Sequence, residues 1–363
     1  MVNFKPTDEQ ELIRETMAGF AREVLRRHGR EADERNEVPD EVVQRGWELG
    51  LVQAAIPEAF GGYGDSYSAL TGALLIEELA YGDAALALHL LAPRLLTVPL
   101  IALGNEAQRA RWLPGFAGSE FRAGTAAFLE PRWDFDPTSL ATRAERRGTE
   151  YVLSGQKCLV PLASDAQAIL VYATASDGLA AFVVERGSAG LTVGEREKNM
   201  GIKALATYPL GLEEVRVPAE NRVGDAGADL QRLVDASRVA IAALAVGLSR
   251  AAFDYARDYA KERRAFGVAI AQKQAVAFKL ANMAIEIDAM RLLAWEAAWK
   301  LDRGEAATRE SVLAKDYASR TALSITDDAV QVLGGHGYIR EHPVELWLRN
   351  ARGLTTFDGL AIV

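Results

Sequence analysis

Apolar positions along this chain fall into three successive rhythms. Leu12, Ile13, Met17, Phe20, Val24 and Leu25 recur at the spacing of one helix face, and Thr7 to Gln10, Thr-x-x-Gln, is a capping-box signature ahead of them. A second helix is predicted after Pro39, with Val42, Val43, Trp47 and Leu49 on its apolar side and Gly50 at its close. Pro57 to Asp65 reads as a Gly-rich turn between helices. After Glu120 the period shortens. Tyr151-Val-Leu153, Ile169-Leu-Val-Tyr172, Phe182-Val-Val184, Leu191-Thr-Val193 and Val215-Arg-Val217 are β-type runs separated by turn residues. They predict a β domain over residues 123–225, after a helical domain over 1–122.

From about residue 229 helical periodicity returns and holds to the end. Helices are predicted over Asp229–Arg264, Ala271–Asp302 and Glu305–Leu333, the last stopped by Gly334-Gly335, with a short segment at His342–Arg352. On the second, Val276, Leu280, Met283, Ile287 and Met290 alternate steps of four and three, one face of an amphipathic helix. Long helices joined by short connections make residues 229–363 a four-helix bundle. The junction Lys261 to Gln274, KERRAFGVAIAQKQ, reads as a helix end: Gly267 supplies the permissive backbone, and Arg263 and Arg264 sit in the last turn, where cations suit the helix C-terminus.

Composition narrows the function classes. With 49% hydrophobic and 25% charged residues in 363, the chain is long enough for two or three domains, and its net charge of -9 argues against a nucleic-acid binder. Cys158 is the single cysteine, so no intramolecular disulfide forms and the residue reads as a small side chain packed in a strand. No apolar stretch of signal-peptide type follows the start. The longest strongly apolar run, Val239 to Ser249, is short of the roughly 20 residues of a membrane span. A cytoplasmic protein without membrane insertion is expected. His89, His336 and His342 are scattered without ligand spacing, so no metal is expected either.

Arg263, Phe266, Gly267 and Gln274 form an R-x-x-F-G-x(6)-Q pattern, followed downstream by Gln331-Val-Leu-Gly-Gly-His-Gly-Tyr338. With Asn199-Met-Gly201, Val215-Arg-Val-Pro218 and Leu346-x-x-Arg349 in the same order, the chain resembles the acyl-CoA dehydrogenase family over nearly its whole length. The resemblance implies an α+β multidomain fold: an N-terminal α-helical domain, a middle β-barrel covering a flavin ring, and a C-terminal four-helix bundle. It implies FAD, which takes a hydride from the β carbon of an acyl-CoA while a carboxylate removes the α proton, and electron-transfer flavoprotein as the acceptor. The Gly-rich turn and the helix after it, Ser66 to Tyr81, are placed near the acyl pocket.

The same resemblance sorts the site residues. The base position, in a Tyr-Glu-Gly-Thr motif of the family, reads Phe357-Asp358-Gly359-Leu360 here, so Asp358 is the carboxylate available for catalysis. Aspartate withdraws that carboxylate by about 1 Å, a displacement worth roughly a hundredfold in rate. A second base position, the residue before Arg238, holds Ser237, whose hydroxyl is too weak an acid to serve. Family positions that bind flavin within one subunit have become Leu129, Phe135, Leu159 and Pro161, and proline lacks an N–H. Arg263, Phe266, Gln274, Gln331, Gly334 and Gly335 match instead the cofactor-binding set that reaches FAD held by a neighbouring subunit. The family chain continues past the base motif with a helix carrying CoA-binding residues, whereas this sequence stops at Val363, so an incomplete acyl-CoA site is expected. Three readings follow: a subunit paired with a homologous partner that supplies the base; a homodimer or homotetramer using Asp358; and a homologue that binds without catalysing.

Overall fold

The computed structural model describes residues 5–64 and 67–363. Helices α1 (Asp8–Phe20), α2 (Arg26–Arg35), α3 (Asp40–Glu48), α4 (Ala69–Gly82), α5 (Ala84–Leu91), α6 (Arg94–Leu103) and α7 (Glu106–Trp112) come first, with a π-helical turn at Ala21–Leu25 joining α1 to α2. The capping box forms as read: the Thr7 hydroxyl accepts the Gln10 N–H at 3.2 Å and Gln10 Oε1 accepts the Thr7 N–H at 3.0 Å. Met17, Phe20, Val24 and Leu25 are buried, but Leu12 is 64% exposed, because the face of α1 that meets α4 is centred on Met17 and Phe20.

The Gly-rich turn packs on itself, with Gly62 against the Ile56 carbonyl, where a Cβ would come within 2.1 Å. Asp65 and Ser66, which close this turn and open the predicted helix, lie outside the described residues. Helix α4 begins at Ala69, capped by the Ser68 hydroxyl. The Asp302 carboxylate from the far end of the chain also accepts the Ala69 and Leu70 N–H groups at 2.5 and 3.1 Å, so the helical domain is tied to the bundle by an anion at a helix N-terminus.

The middle segment is one eight-stranded sheet: β1 (Thr125–Ala127), β2 (Arg143–Arg147), β3 (Glu150–Pro161), β4 (Ala168–Ala175), β5 (Gly178–Glu185), β6 (Leu191–Val193), β7 (Thr207–Pro218) and β8 (Arg222–Val223). Its order is β6-β7-β3-β2-β4-β5-β8, with β1 parallel to β4. Strand β2, Arg-Ala-Glu-Arg-Arg, buries only Ala144, and so carries no apolar signal although it pairs with β3 along its length. The register of β3 on β7 shifts between Lys157 and Val160, and there Leu159 takes φ +53°.

The chain ends in α8 (Gln231–Glu262), a hairpin of β9 (Arg264–Ala265) and β10 (Val268–Ala269), α9 (Gln274–Asp302), α10 (Thr308–Leu333), the single turn α11 (Gly335–Tyr338) and α12 (Val344–Leu354). Helix α8 packs against α4, α9, α10 and α12. Its alanine-rich middle lets neighbours approach closely. Among the described residues α8 is the one helix long and apolar enough to cross a membrane by itself, and 78% of that window is buried inside the fold, as in a core helix.

Three segments meet at Asp33. Arg349 donates two bonds to its carboxylate at 2.8 and 2.9 Å, Arg340 approaches to 3.3 Å, and Ile202 N–H donates to Asn350 Oδ1 at 2.6 Å. This network holds the middle domain on the bundle. His89 on α5 adds a pH dependence. It stacks on Phe121 at 5.4 Å, its Nδ1 has no partner, and burial, helped by the Arg196 charge, pushes the imidazole down to about 4. The unfolded imidazole protonates near 6.5. The neutral-histidine contribution is therefore complete above about pH 6.5 and is lost as pH falls toward 4, by up to about 3 kcal/mol. His89→Leu should unfold less steeply with acid over that range in urea titrations, and a parallel pH profile for both proteins would contradict it.

Candidate functional site

The end of the bundle carries the first candidate. Helix α8 stops at Glu262 and Arg263 is already extended, so neither Arg263 nor Arg264 lies in its last turn, as the sequence reading had them. Gly267 likewise does not end the helix. Phe266 and Gly267 are the two central residues of the β9–β10 hairpin, both at positive φ, +53° and +81°. That geometry is the I′ turn that matches strand twist, and glycine is its natural second residue. Phenylalanine at a left-handed φ is unusual. Its ring is 93% exposed, flanked by the Lys273 ammonium at 5.5 Å.

Beneath the hairpin is a cleft of about 460 Å³ lined by Tyr259, Arg263, Ile270, Gly334, Gly335 and His336, with Val332, Leu333 and Ile339. The fold thus brings Arg263, Gly334 and Gly335 together across 70 residues of chain. Phe266, Gln274 and Gln331 are exposed at the same end but do not line the cleft. Three glycines here differ in their reasons. Gly337 has no room for a Cβ, which would lie 2.3 Å from the Val330 carbonyl, and Gly334 needs its φ of +59°. Gly335 has neither constraint, since a Cβ there meets nothing within 4 Å. An exposed arginine beside such a backbone suits a phosphate approaching from outside the chain. The phosphates of FAD fit this cleft.

The second candidate is Asp358, just beyond α12. Its Oδ2 faces Lys315 Nζ on α10 at 3.5 Å and its Oδ1 is buried without a partner. The following residue, Gly359, donates its N–H to Ser237 Oγ at 3.1 Å, so the two family base positions are neighbours in space. Between Leu95, Phe128, Tyr172, Leu233, Ser237 and Ile362 lies a chamber of about 20 Å³, room for about one water. Asp358 does not line it. Leu360, Ala361, Ile362 and Val363 are buried, with Val363 over Gly72 of α4, its N–H directed to the Ala236 carbonyl and its carbonyl accepting from the Tyr67 hydroxyl.

On the sheet, the positions expected to flank a flavin within the subunit are already satisfied. The Leu159 N–H donates to both oxygens of Glu197, at 3.1 and 3.2 Å, and the Cys158 N–H to the Leu129 carbonyl at 3.0 Å. Pro161 offers no donor. Behind them Lys157 is wholly buried and donates to the Phe128 carbonyl and Glu130, each at 3.0 Å. Burial pushes that amine down to about 8 against the pull of Glu130, and pushes the Cys158 thiol up to about 11, which leaves it inert as a nucleophile. This half of a flavin site does not fit the cofactor. Neither Glu197 here nor Tyr259 in the cleft stands in a motif: Glu197 is 38 residues from the Leu159 N–H it accepts, and Tyr259 lies on α8 one turn before Arg263.

Residues 7–120, 125–215 and 228–361 match the descriptions "Acyl-CoA dehydrogenase, N-terminal domain", "middle domain" and "C-terminal domain". The chain belongs to the acyl-CoA dehydrogenase family. Acyl-CoA dehydrogenases are FAD-dependent oxidoreductases that act on CH–CH bonds of acyl-CoA substrates, and they oligomerise. Similar members are the probable acyl-CoA dehydrogenase YngJ of Bacillus subtilis (strain 168), 36% identical over 99% of this chain and 96% of its own, and the cyclohex-1-ene-1-carbonyl-CoA dehydrogenase of Geobacter metallireducens, 37% identical over 97% and 95%. The solved butyryl-CoA dehydrogenase of Megasphaera elsdenii superposes with a TM-score of 0.88 at 31% identity, over 99% of this chain and 96% of that one. Among its described residues no group of three or more His, Cys, Asp or Glu is suited to a metal ion.

Proposed function

We propose that this chain is the supporting subunit of a heteromeric acyl-CoA dehydrogenase, in which a homologous partner supplies the base and most flavin contacts for α,β-dehydrogenation of an acyl-CoA thioester. FAD, when bound, supplies the hydride-accepting chemistry. Arg263 and the Gly334-Gly335 backbone hold its phosphates from across the subunit boundary, with Phe266 projecting beside them and Gln274 and Gln331 on the same end. The observation that carries the reading is the contrast between the two sites. The outward cleft of about 460 Å³ is open and cationic, whereas the inner chamber of about 20 Å³ has no space for an acyl chain. In this reading an electron-transfer flavoprotein would be the electron acceptor.

Co-expression with a homologous partner tests this by counting flavin per protomer from the visible spectrum. Flavin near one per two chains is expected, and Arg263→Ala should weaken its retention by roughly ten- to a hundredfold, the worth of a charge-assisted hydrogen bond. A full flavin complement in this chain expressed alone would overturn the proposal. One feature favours the homomeric reading: the buried, unpartnered Oδ1 of Asp358. That reading requires activity of the isolated chain that disappears in Asp358→Asn.

A further inference from the structure

We propose that His336 is a proton-dependent ligand for the anion received by the bundle-end cleft, acting beside Arg263. The inference rests on reading that cleft as a phosphate site. His336 lines it, and its ring is held in place rather than loose in a turn: Nδ1 lies 3.1 Å from the Tyr259 hydroxyl, with the two rings 6.1 Å apart and tilted by 51°. Behind it His342 stands edge-on, 5.7 Å between ring centres, and its Nδ1 is 2.7 Å from the Tyr255 hydroxyl. Two tyrosines of α8 thus orient two histidines of the segment after α10.

Tyrosine suits this task because its hydroxyl both donates and accepts. Toward a neutral imidazole it donates to Nδ1, which places the ring proton on Nε2. When the ring is protonated, Nδ1–H donates to the phenol oxygen and the ring gains a full positive charge. Orientation is kept in both states while charge changes.

The groups facing His336 decide when that proton is taken up. From α8 these are Tyr259, Arg263 and, through His342, Tyr255. From the segment after α11 they are His342 and Arg340, whose guanidinium is engaged by Asp33, Glu34 and Glu345. From α10 the cleft receives the apolar Val332 and Leu333, followed by Gly334 and, opening α11, Gly335. Among the described residues, ion pairing of histidine is confined to His28 with Glu41, so neither His336 nor His342 has a carboxylate partner. An anion seated in the cleft supplies the missing counter-charge, so its binding and protonation of His336 are linked.

The probe is ADP-ribose, a pyrophosphate diester whose charge stays constant between roughly pH 5.5 and 8, the window in which histidine titrates. Calorimetric titration of the flavin-stripped complex of this chain with its homologous partner should show about tenfold tighter binding at the acid end, the effect of one added charge-assisted hydrogen bond, with a proton taken up. His336→Asn should abolish both the tightening and the proton uptake. Arg263→Ala should weaken binding at every pH while a proton is still taken up on binding, and His342→Asn should keep the proton uptake without the weakening. Persistence of proton uptake in His336→Asn, or pH-independent binding by the unmodified chain, overturns the role of His336 and leaves the cleft reading intact. No binding of ADP-ribose at either pH overturns both.

Discussion

Lys157→Met should destabilise the protein by about 3–5 kcal/mol in chemical denaturation, the usual cost of leaving one member of a buried ion pair uncompensated. The reason is the lopsided environment of the pair. The Lys157 amine is wholly enclosed and has only Glu130 and the Phe128 carbonyl as partners. Burial dominates there and disfavours its charge. At Glu130 burial also opposes the charge, but Lys157 and the Thr142 and Ala141 N–H groups outweigh it and hold the carboxyl below its usual range. Removing the lysine leaves the Glu130 carboxyl with the Thr142 and Ala141 N–H groups and with Arg132 at 3.8 Å, in a place water does not reach. Pairing Lys157→Met with Glu130→Gln removes the stranded charge, and the double variant should recover part of the loss. If the double variant is as unstable as the sum of both single changes, the pair is not the unit of stability here.

Gly247→Val should cost about 3 kcal/mol or more, at the upper end of overpacking effects, because the neighbours it meets are backbone. A Cβ at Gly247 on α8 would lie 2.1 Å from the Glu77 carbonyl and 2.9 Å from the Tyr81 nitrogen of α4. No rotamer relieves that approach, so α4 and α8 must separate. Separation would also strain the bond from Arg250 to Glu77 that crosses this seam. Since α8 carries Ser237 toward the inner chamber and leads into Arg263 at the cleft, the variant should lose thermal stability and flavin retention together. Wild-type melting temperature in Gly247→Val would show that the helices tolerate a wider spacing.

Much of the architecture was legible in local pattern. The capping box at Thr7 needs only residues three apart, and Leu280, Met283, Ile287 and Met290 of α9 are buried as their spacing required. Strand β2 was not legible, because four of its five residues are charged and only Ala144 is buried, so it shows no apolar alternation. The Phe266-Gly267 break was visible as a break, but not as a hairpin turn, since a glycine past a helix serves either purpose until β10 closes back on β9.

What the sequence by itself determined is the order of helical, β and helical segments and the identity of the residues in the Arg-Phe-Gly and Gly-Gly motifs, because both are read within short windows of chain. Only the tertiary structure decided which of those residues act together. It placed Arg263, Gly334 and Gly335 around one cleft with Tyr259 and His336, aimed Asp358 at Lys315, buried Lys157 on Glu130, and gave the Leu159 N–H to Glu197. These outcomes depend on contacts between groups many residues apart, where burial and the presence of a partner, not residue type, set charge and direction.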